Sequence, residues 1–372
     1  MVTAASIPVQ RQVKEQIRLS ESAGEDIRSL PGDGFRTGSS QTRKRRIKSL
    51  PAYTIHYLVF MKDTVSVPWF AVAGRGTHIK ATQTDLIIER KNDIQRIPVS
   101  RVGHLLVVGP HHLNTSAVIQ LLKAGSGISF FDIDSTPLGY VHPFGFRADE
   151  EVRAAQGKVA AHRYAVLFAK TSMNARLLFL EGLAQQRSWR LFYEGELEFL
   201  HKARGEVEFL IRMEEVRRLH KLASDMYYEI LSRQIPPGLA YRRRTERPHR
   251  DPVNAMFSFG YAMLHGICLR AVVGAHLDPD QGLLNEGGGS LVQDLIEPLK
   301  PRMVDATIFD LANAGIPPEE YDIGGSRCYL SEDLIQQIAA ALQKTIRQEE
   351  IDAQVNAFRQ AIMYSREFSA IY

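Results

Sequence analysis

The sequence of 372 residues contains only two cysteines and two tryptophans, and aromatic residues make up 9% of it. Cys268 and Cys328 fit neither a disulfide framework nor a zinc-ligand spacing, so both read as reduced thiols of an intracellular, cytoplasmic protein. Long hydrophobic runs are scarce too. None approaches the roughly 20 apolar residues that span a bilayer, and the N-terminus lacks the apolar core of a secretory signal, so no membrane partner is expected. No strong charge excess exists either. A net charge of +4 permits a nucleic-acid partner without requiring one, which puts the weight on where the basic residues cluster. What is present is length enough for two cores, with 44% hydrophobic and 24% charged residues, the proportions of a globular protein.

The texture changes along the chain. Residues 1–48 are rich in Ser, Gly, Gln and charge and end in Arg43-Lys44-Arg45-Arg46, which predicts a disordered basic tail. Residues 49–145 carry short β-rich runs between turn residues: Tyr57–Phe60, Trp69–Ala73, Leu86–Ile88, Val102–Val108 and Ile128–Ile133. Among them Ser116–Lys123 has helical periodicity, with Asn114, Thr115 or Ser116 as its cap. The neighbours His111 and His112 point apart on any regular element and are expected in a loop rather than as a chelating pair. After Pro143 helical periodicity takes over, so residues 146–372 are expected to form an all-α domain. The fold class is α+β, a small β-rich domain followed by a helical one.

Within the helical part, Arg153 with Gln156 and Lys170 with Asn174 stand at spacings that share a helix face, where polar residues can tie neighbouring helices together. The helix predicted over Ile211–Leu231 shows an apolar stripe of Leu219, Leu222, Met226 and Ile230, expected to pack on a second stripe of Phe257, Tyr261, Leu264 and Cys268. Between them Tyr241–Arg250 holds Arg242, Arg243, Arg244, Arg247 and Arg250. So many guanidinium groups exceed what a core absorbs, and predict a flexible loop that contacts phosphate.

Asp251–Asp305 organises the rest. It reads as a long apolar helix, a loop broken by Asp278-Pro279, Gly282 and Gly287-Gly288-Gly289, and a short helix beginning at Ser290. Ser290 with Gln293 fits a capping box. Asp294 and Glu297 then fall three apart near the N-terminus of that helix, where two carboxylates can share a cation. Further on, Ser331 is placed to cap the terminal helices.

The prolyl-asparaginyl start at Pro252 and Asn254, Gly260-Tyr261, Asp278-Pro279 before Gly282-Leu283-Leu284, the Ser290-Leu291 to Asp294-Leu295 to Glu297-Pro298 run and the closing Val304-Asp305 resemble the CRISPR-associated protein 1 family. The likeness spans about residues 52–345 and is most specific over 251–305. It implies a metal-dependent DNA integrase and endonuclease of spacer acquisition, working as a homodimer on double-stranded or branched DNA, with Mg²⁺ or Mn²⁺ and with CRISPR-associated protein 2 as partner. The family's three ligands are a glutamate, a histidine and an acid. Carried over, they fall on His220, Asn285 and the Asp294/Glu297 pair, with Glu297 the main charged ligand and His220 also a proton acceptor. His220 in place of a glutamate removes an anionic oxygen that a hard divalent ion prefers, and Asn285 offers a neutral carbonyl in place of imidazole. Weakened catalysis is therefore expected. The alternatives are a catalytically inactive DNA-binding or assembly subunit of the same family, and a helical interaction scaffold without a nucleic-acid role.

Overall fold

A computed structural model describes residues 67–91, 93–186 and 191–372. The expected basic tail 1–48 and the expected strand Tyr57–Phe60 lie outside these residues. The β-rich part is built from β1 (Trp69–Ala73), β2 (His78–Ala81), β3 (Asp85–Arg90), β4 (Asp93–Pro98), β5 (His104–Val108), β6 (His112–Leu113), β7 (Gly127–Phe131) and β8 (Pro137–Val141), with α1 (Thr115–Lys123) between β6 and β7. One sheet has the order β1-β5-β7-β8, parallel except for β8, and the other β4-β3-β2-β6. Every residue of β5 is buried. Leu105 and Val107 join Val72, Ile79, Leu86, Ile97 and the α1 residues Ala117 and Leu121 in a single core. The expected loop position of His112 is corrected: it pairs with His78 in the parallel β2–β6 ladder, while the His111 ring accepts from the Thr77 amide.

The chain then becomes helical, in α2 (Ala148–Gln156), α3 (Ala161–Gln186), α4 (Glu196–Glu206), α5 (Met213–Ser232), α6 (Pro252–Gly274), α7 (Ser290–Ile296), α8 (Ala306–Ala314), α9 (Glu332–Thr345) and α10 (Gln348–Tyr364). The part is not purely helical, because Tyr321–Ile323 and Cys328–Leu330 pair as a short antiparallel hairpin, β9 and β10. Ser331 caps α9 as its sequence predicts, accepting from the Leu334 amide at 3.0 Å.

Helix α6 forms the axis of this part. Asp251 caps it by accepting from the Asn254 amide, Pro252 occupies the first turn, and most of its residues are buried. It corrects the expectation that no apolar run approaches membrane-spanning length: mean hydropathy reaches 1.4 over an 18-residue window, but 72% of that window is buried inside the protein, as in a core helix. At its end Gly274 meets the Trp69 ring of β1, where a Cβ would come within 2.7 Å, so only glycine permits this docking of helix on sheet.

The buried face of α5 also differs from the sequence expectation. It is Val216, His220, Ala223, Tyr227 and Ile230, whereas Leu222 is 48% exposed. The helix packs chiefly on α3, and a small residue with a satisfied histidine suits that close seam better than two leucines. It reaches α6 through Tyr228, which stacks edge-on against Phe257 and bonds the Tyr261 hydroxyl. Three of the polar residues singled out in the entry helices tie elements together. Gln156 bonds the backbone of Asp278 and Gln281, Lys170 pairs with Glu208, and Asn174 accepts from Arg204.

Candidate functional site

Three helical regions bring their polar groups to one buried point. Along α3, Ser172 and Arg176 stand four residues apart on one face, α5 contributes His220, and the stretch after α7 contributes Glu297 and Lys300. Arg176 Nη2 donates to Glu297 Oε2 at 2.7 Å, and Lys300 Nζ pairs with Glu297 Oε1. Arg176 Nη1 donates to Ser172 Oγ, which lies 3.0 Å from His220 Nε2. His220 Nε2 is itself 3.9 Å from Glu297 Oε2. All five side chains are buried.

Two cations therefore flank one carboxylate out of water. Burial alone would raise the Glu297 carboxyl, but Lys300, Arg176 and His220 outweigh it and hold the group well below the usual carboxylate range. Burial lowers His220 to about 4, with Arg176 and Lys300 adding to the effect against Glu297, so it is a neutral imidazole at physiological pH. In a second buried network Asp305 is fully buried and accepts from Tyr227 at 2.9 Å and from Tyr261 at 2.6 Å. It sits in the π-helical turn Pro301–Asp305 that leads into α8. The Lys300 ammonium stands 5.1 Å from the Tyr261 ring centre, so the two buried networks share a wall.

The sequence-predicted ligands divide into two pairs. His220 and Glu297 meet as described. Asn285 and Asp294 meet each other instead: Asp294 accepts from the amides of Leu283, Leu284 and Asn285 and from Asn285 Nδ2, at 2.6 to 3.0 Å. Burial lifts Asp294 to about 6 against the pull of those donors, and the carboxylate pins the 282–285 loop onto α7. Two local expectations are corrected here. Ser290 is not a capping box residue, since Gly289 is the N-cap at φ 70° and Ser290 Oγ ties Gly282 N to Asp280 O. Glu297 closes α7 at its C-terminal end, so it gains nothing from the positive end of the helix dipole.

Mg²⁺ or Mn²⁺ requires several oxygen ligands with free lone pairs. The cluster offers one carboxylate with both oxygens already bound to cations, and an ion there would face the Arg176 guanidinium and the Lys300 ammonium. Among the described residues no three His, Cys, Asp or Glu side chains converge to hold a metal. These residues do not fit the divalent ion that the resemblance implies.

Reasoning from the sequence missed Ser172, Arg176 and Lys300. Their signals were an arginine set directly against the apolar run Leu177–Leu180 of α3, four residues after a serine, and a lysine three after Glu297. The expected phosphate loop is also partly redirected. Arg242, Arg243 and Arg250 are exposed, whereas Arg244 turns inward, donating to Asn254 O at 3.0 Å, Asn254 Oδ1 at 2.7 Å and Ser258 Oγ at 3.0 Å. Arg247 is half-buried.

Residues 70–344 match the family CRISPR associated protein Cas1. The chain belongs to the Cas1 family. A putative CRISPR-associated endonuclease Cas1 2 of Methanospirillum hungatei is 38% identical over 301 residues, covering 81% of this chain and 99% of the relative. Among solved structures, a casposase bound to integration product superposes with a TM-score of 0.70 at 17% identity, over 82% of this chain and 98% of that one. A partial Cas6-RT-Cas1–Cas2 complex gives 0.66 at 18% identity, over 81% and 97%. At these identities the structures speak for a shared fold, and this Cas1-family chain places within it a buried carboxylate, Glu297, paired with the cations Arg176 and Lys300.

Proposed function

We propose that this chain serves CRISPR spacer acquisition in the cytoplasm as a Cas1-type DNA-holding and assembly subunit, with metal-dependent phosphodiester transfer left to another subunit. The observation that carries this is the capture of both Glu297 oxygens by Arg176 and Lys300. Duplex or branched DNA would be held by sequence-independent phosphate contacts, for which exposed arginines such as Arg242, Arg243 and Arg250 are suited. Residues 49–145 would carry homodimerisation, 146–372 the DNA site, and CRISPR-associated protein 2 the bridge in the assembly. The likeness to a casposase bound to integration product and to a Cas1–Cas2 complex supports such partners.

A second role, that of a working integrase and endonuclease, is favoured by the name and 38% identity of the Methanospirillum hungatei relative. Incubation of the purified chain with branched DNA in millimolar Mn²⁺ separates the two. The proposal expects salt-sensitive binding that needs no metal, and neither joining nor cleavage. Mn²⁺-dependent strand transfer that disappears in Glu297→Gln would overturn it.

A further inference from the structure

Asn254 is completely buried in the first turn of α6, yet it bonds the chain on both sides of Arg244. Its Nδ2 donates to the Arg243 carbonyl at 2.9 Å, and its Oδ1 accepts from the Thr245 amide at 3.2 Å. The Arg244 guanidinium completes the loop closure through Asn254 and Ser258, with its central carbon 5.4 Å from the Tyr261 ring centre and 5.7 Å from that of Phe257. Ser258 in turn lies 2.6 Å from His249 Nε2, and His249 Nδ1 lies 3.0 Å from Thr245 Oγ1. This closed ring joins Arg244, Thr245, His249, Asn254 and Ser258. Its polarity is consistent if Ser258 accepts from Arg244 and donates to His249, whose ring proton then sits on Nδ1 and is donated to Thr245.

From this geometry we propose that Arg244 is a positioning residue: it fastens the 241–250 segment to α6 so that its exposed neighbours Arg242, Arg243 and Arg250 meet DNA phosphates from a fixed backbone. The inference rests on the DNA-holding role above. A guanidinium is needed at this place because three acceptors are reached by a planar fork that also lies over two aromatic rings, which a lysine ammonium cannot reproduce. Fixing the loop in advance removes an ordering cost from binding, so Arg244 aids affinity without touching a phosphate.

Two measurements on the full chain test this. The first is duplex affinity as a function of salt, where each lost phosphate contact flattens the log–log slope by about 0.9. Arg242→Ala, Arg243→Ala and Arg250→Ala should each flatten it. Arg244→Met and Arg244→Lys should instead leave the slope unchanged and weaken binding alike, by about tenfold, the equivalent of one charge-assisted hydrogen bond. Ser258→Ala, which removes no charge, should shift affinity in the same direction. The second is amide exchange at Thr245, which should quicken in both Arg244 variants while amides in the middle of α6 keep their protection. An Arg244→Lys protein that binds like wild type, beside an Arg244→Met protein with a flattened slope, would make Arg244 a direct phosphate contact and overturn the proposal. Unchanged Thr245 exchange would overturn it as well. Wild-type protein without any salt-dependent binding would sink the DNA-holding role itself, while the exchange result would still decide whether Arg244 fastens the loop.

Discussion

Arg176 and Glu297 form a 2.7 Å ion pair in which neither residue is more than 7% exposed, and Lys300 completes it from the other side of the carboxylate. A buried charge of this kind is tolerated only while its partners remain, since each loses its hydration on folding. Glu297→Gln would leave two cations facing each other without a counter-charge. The expected loss is about 3–5 kcal/mol in denaturant unfolding, the usual cost of breaking a buried pair from one side. A variant within about 0.5 kcal/mol of wild type, the range of ordinary surface changes, would mean the cations find other partners.

Asp294 gives a separate prediction because its role is local. It accepts three consecutive backbone amides, and an asparagine there would turn an NH₂ group toward donors. Asp294→Asn should cost about 3 kcal/mol, the scale of hydrogen bonds to a charged group. Hydrogen exchange at Leu283, Leu284 and Asn285 should accelerate more than in the middle of α6. Equal acceleration everywhere would show only global destabilisation.

Much of the fold was legible because its internal strands are apolar runs. Val102–Val108 and Ile128–Ile133 predict β5 and β7 to within a few residues, and both strands are largely buried. The strands that escaped notice are His78–Ala81, Asp93–Pro98, His112–Leu113, Tyr321–Ile323, Cys328–Leu330 and Pro137–Val141. The last is exposed at every position, so no burial pattern marks it, and its pairing to β7 is a tertiary fact. On α5 the apolar periodicity misled, since Leu222 faces outward while His220 and Ala223 face α3. The candidate site was half legible. His220 and Glu297 do meet, but an i,i+3 spacing cannot tell two carboxylates that share an ion from two that serve different loops. Nor can it foresee that Arg176, which stands 121 residues before Glu297 in the chain, supplies the counter-charge.

Acid should destabilise the protein below about pH 6.5, the ordinary histidine value. Burial lowers His104 and His249 to about 3, and His220 and His265 to about 4. The unfolded chain therefore takes up protons between about pH 6.5 and 4 that the native protein refuses, and native stability falls as pH falls across that window. Asp294 and Asp352, which burial raises to about 6, act in the opposite sense, but their shifts are smaller and fewer. Each histidine adds a slope of about 1.4 kcal/mol per pH unit. Urea unfolding from about pH 7 to about pH 4.5 should show the decline, and His220→Gln should make it shallower. A stability that rises on acidification would mean the aspartates dominate.

The last prediction concerns the two family ligands that this chain has exchanged. Introducing them as His220→Glu with Asn285→His should not create a Mn²⁺ site. Position 285 is held against Asp294, not Glu297, and Arg176 and Lys300 would still neutralise both carboxylates at positions 220 and 297. Two anionic groups balanced by two cations leave a third cation little to gain. Removing the guanidinium changes that balance, so Arg176→Gln added to the pair of changes should let Mn²⁺ bind. Metal that binds only the folded state raises its stability by RT ln(1 + [L]/Kd), about 2.7 kcal/mol at a hundredfold excess over Kd. Thermal unfolding with and without Mn²⁺ reads this directly. No shift is expected for wild type or for the two-residue variant, and a rise is expected once Arg176 is replaced. If the two-residue variant already gains Mn²⁺-dependent stability, Arg176 and Lys300 are not what keeps the ion out.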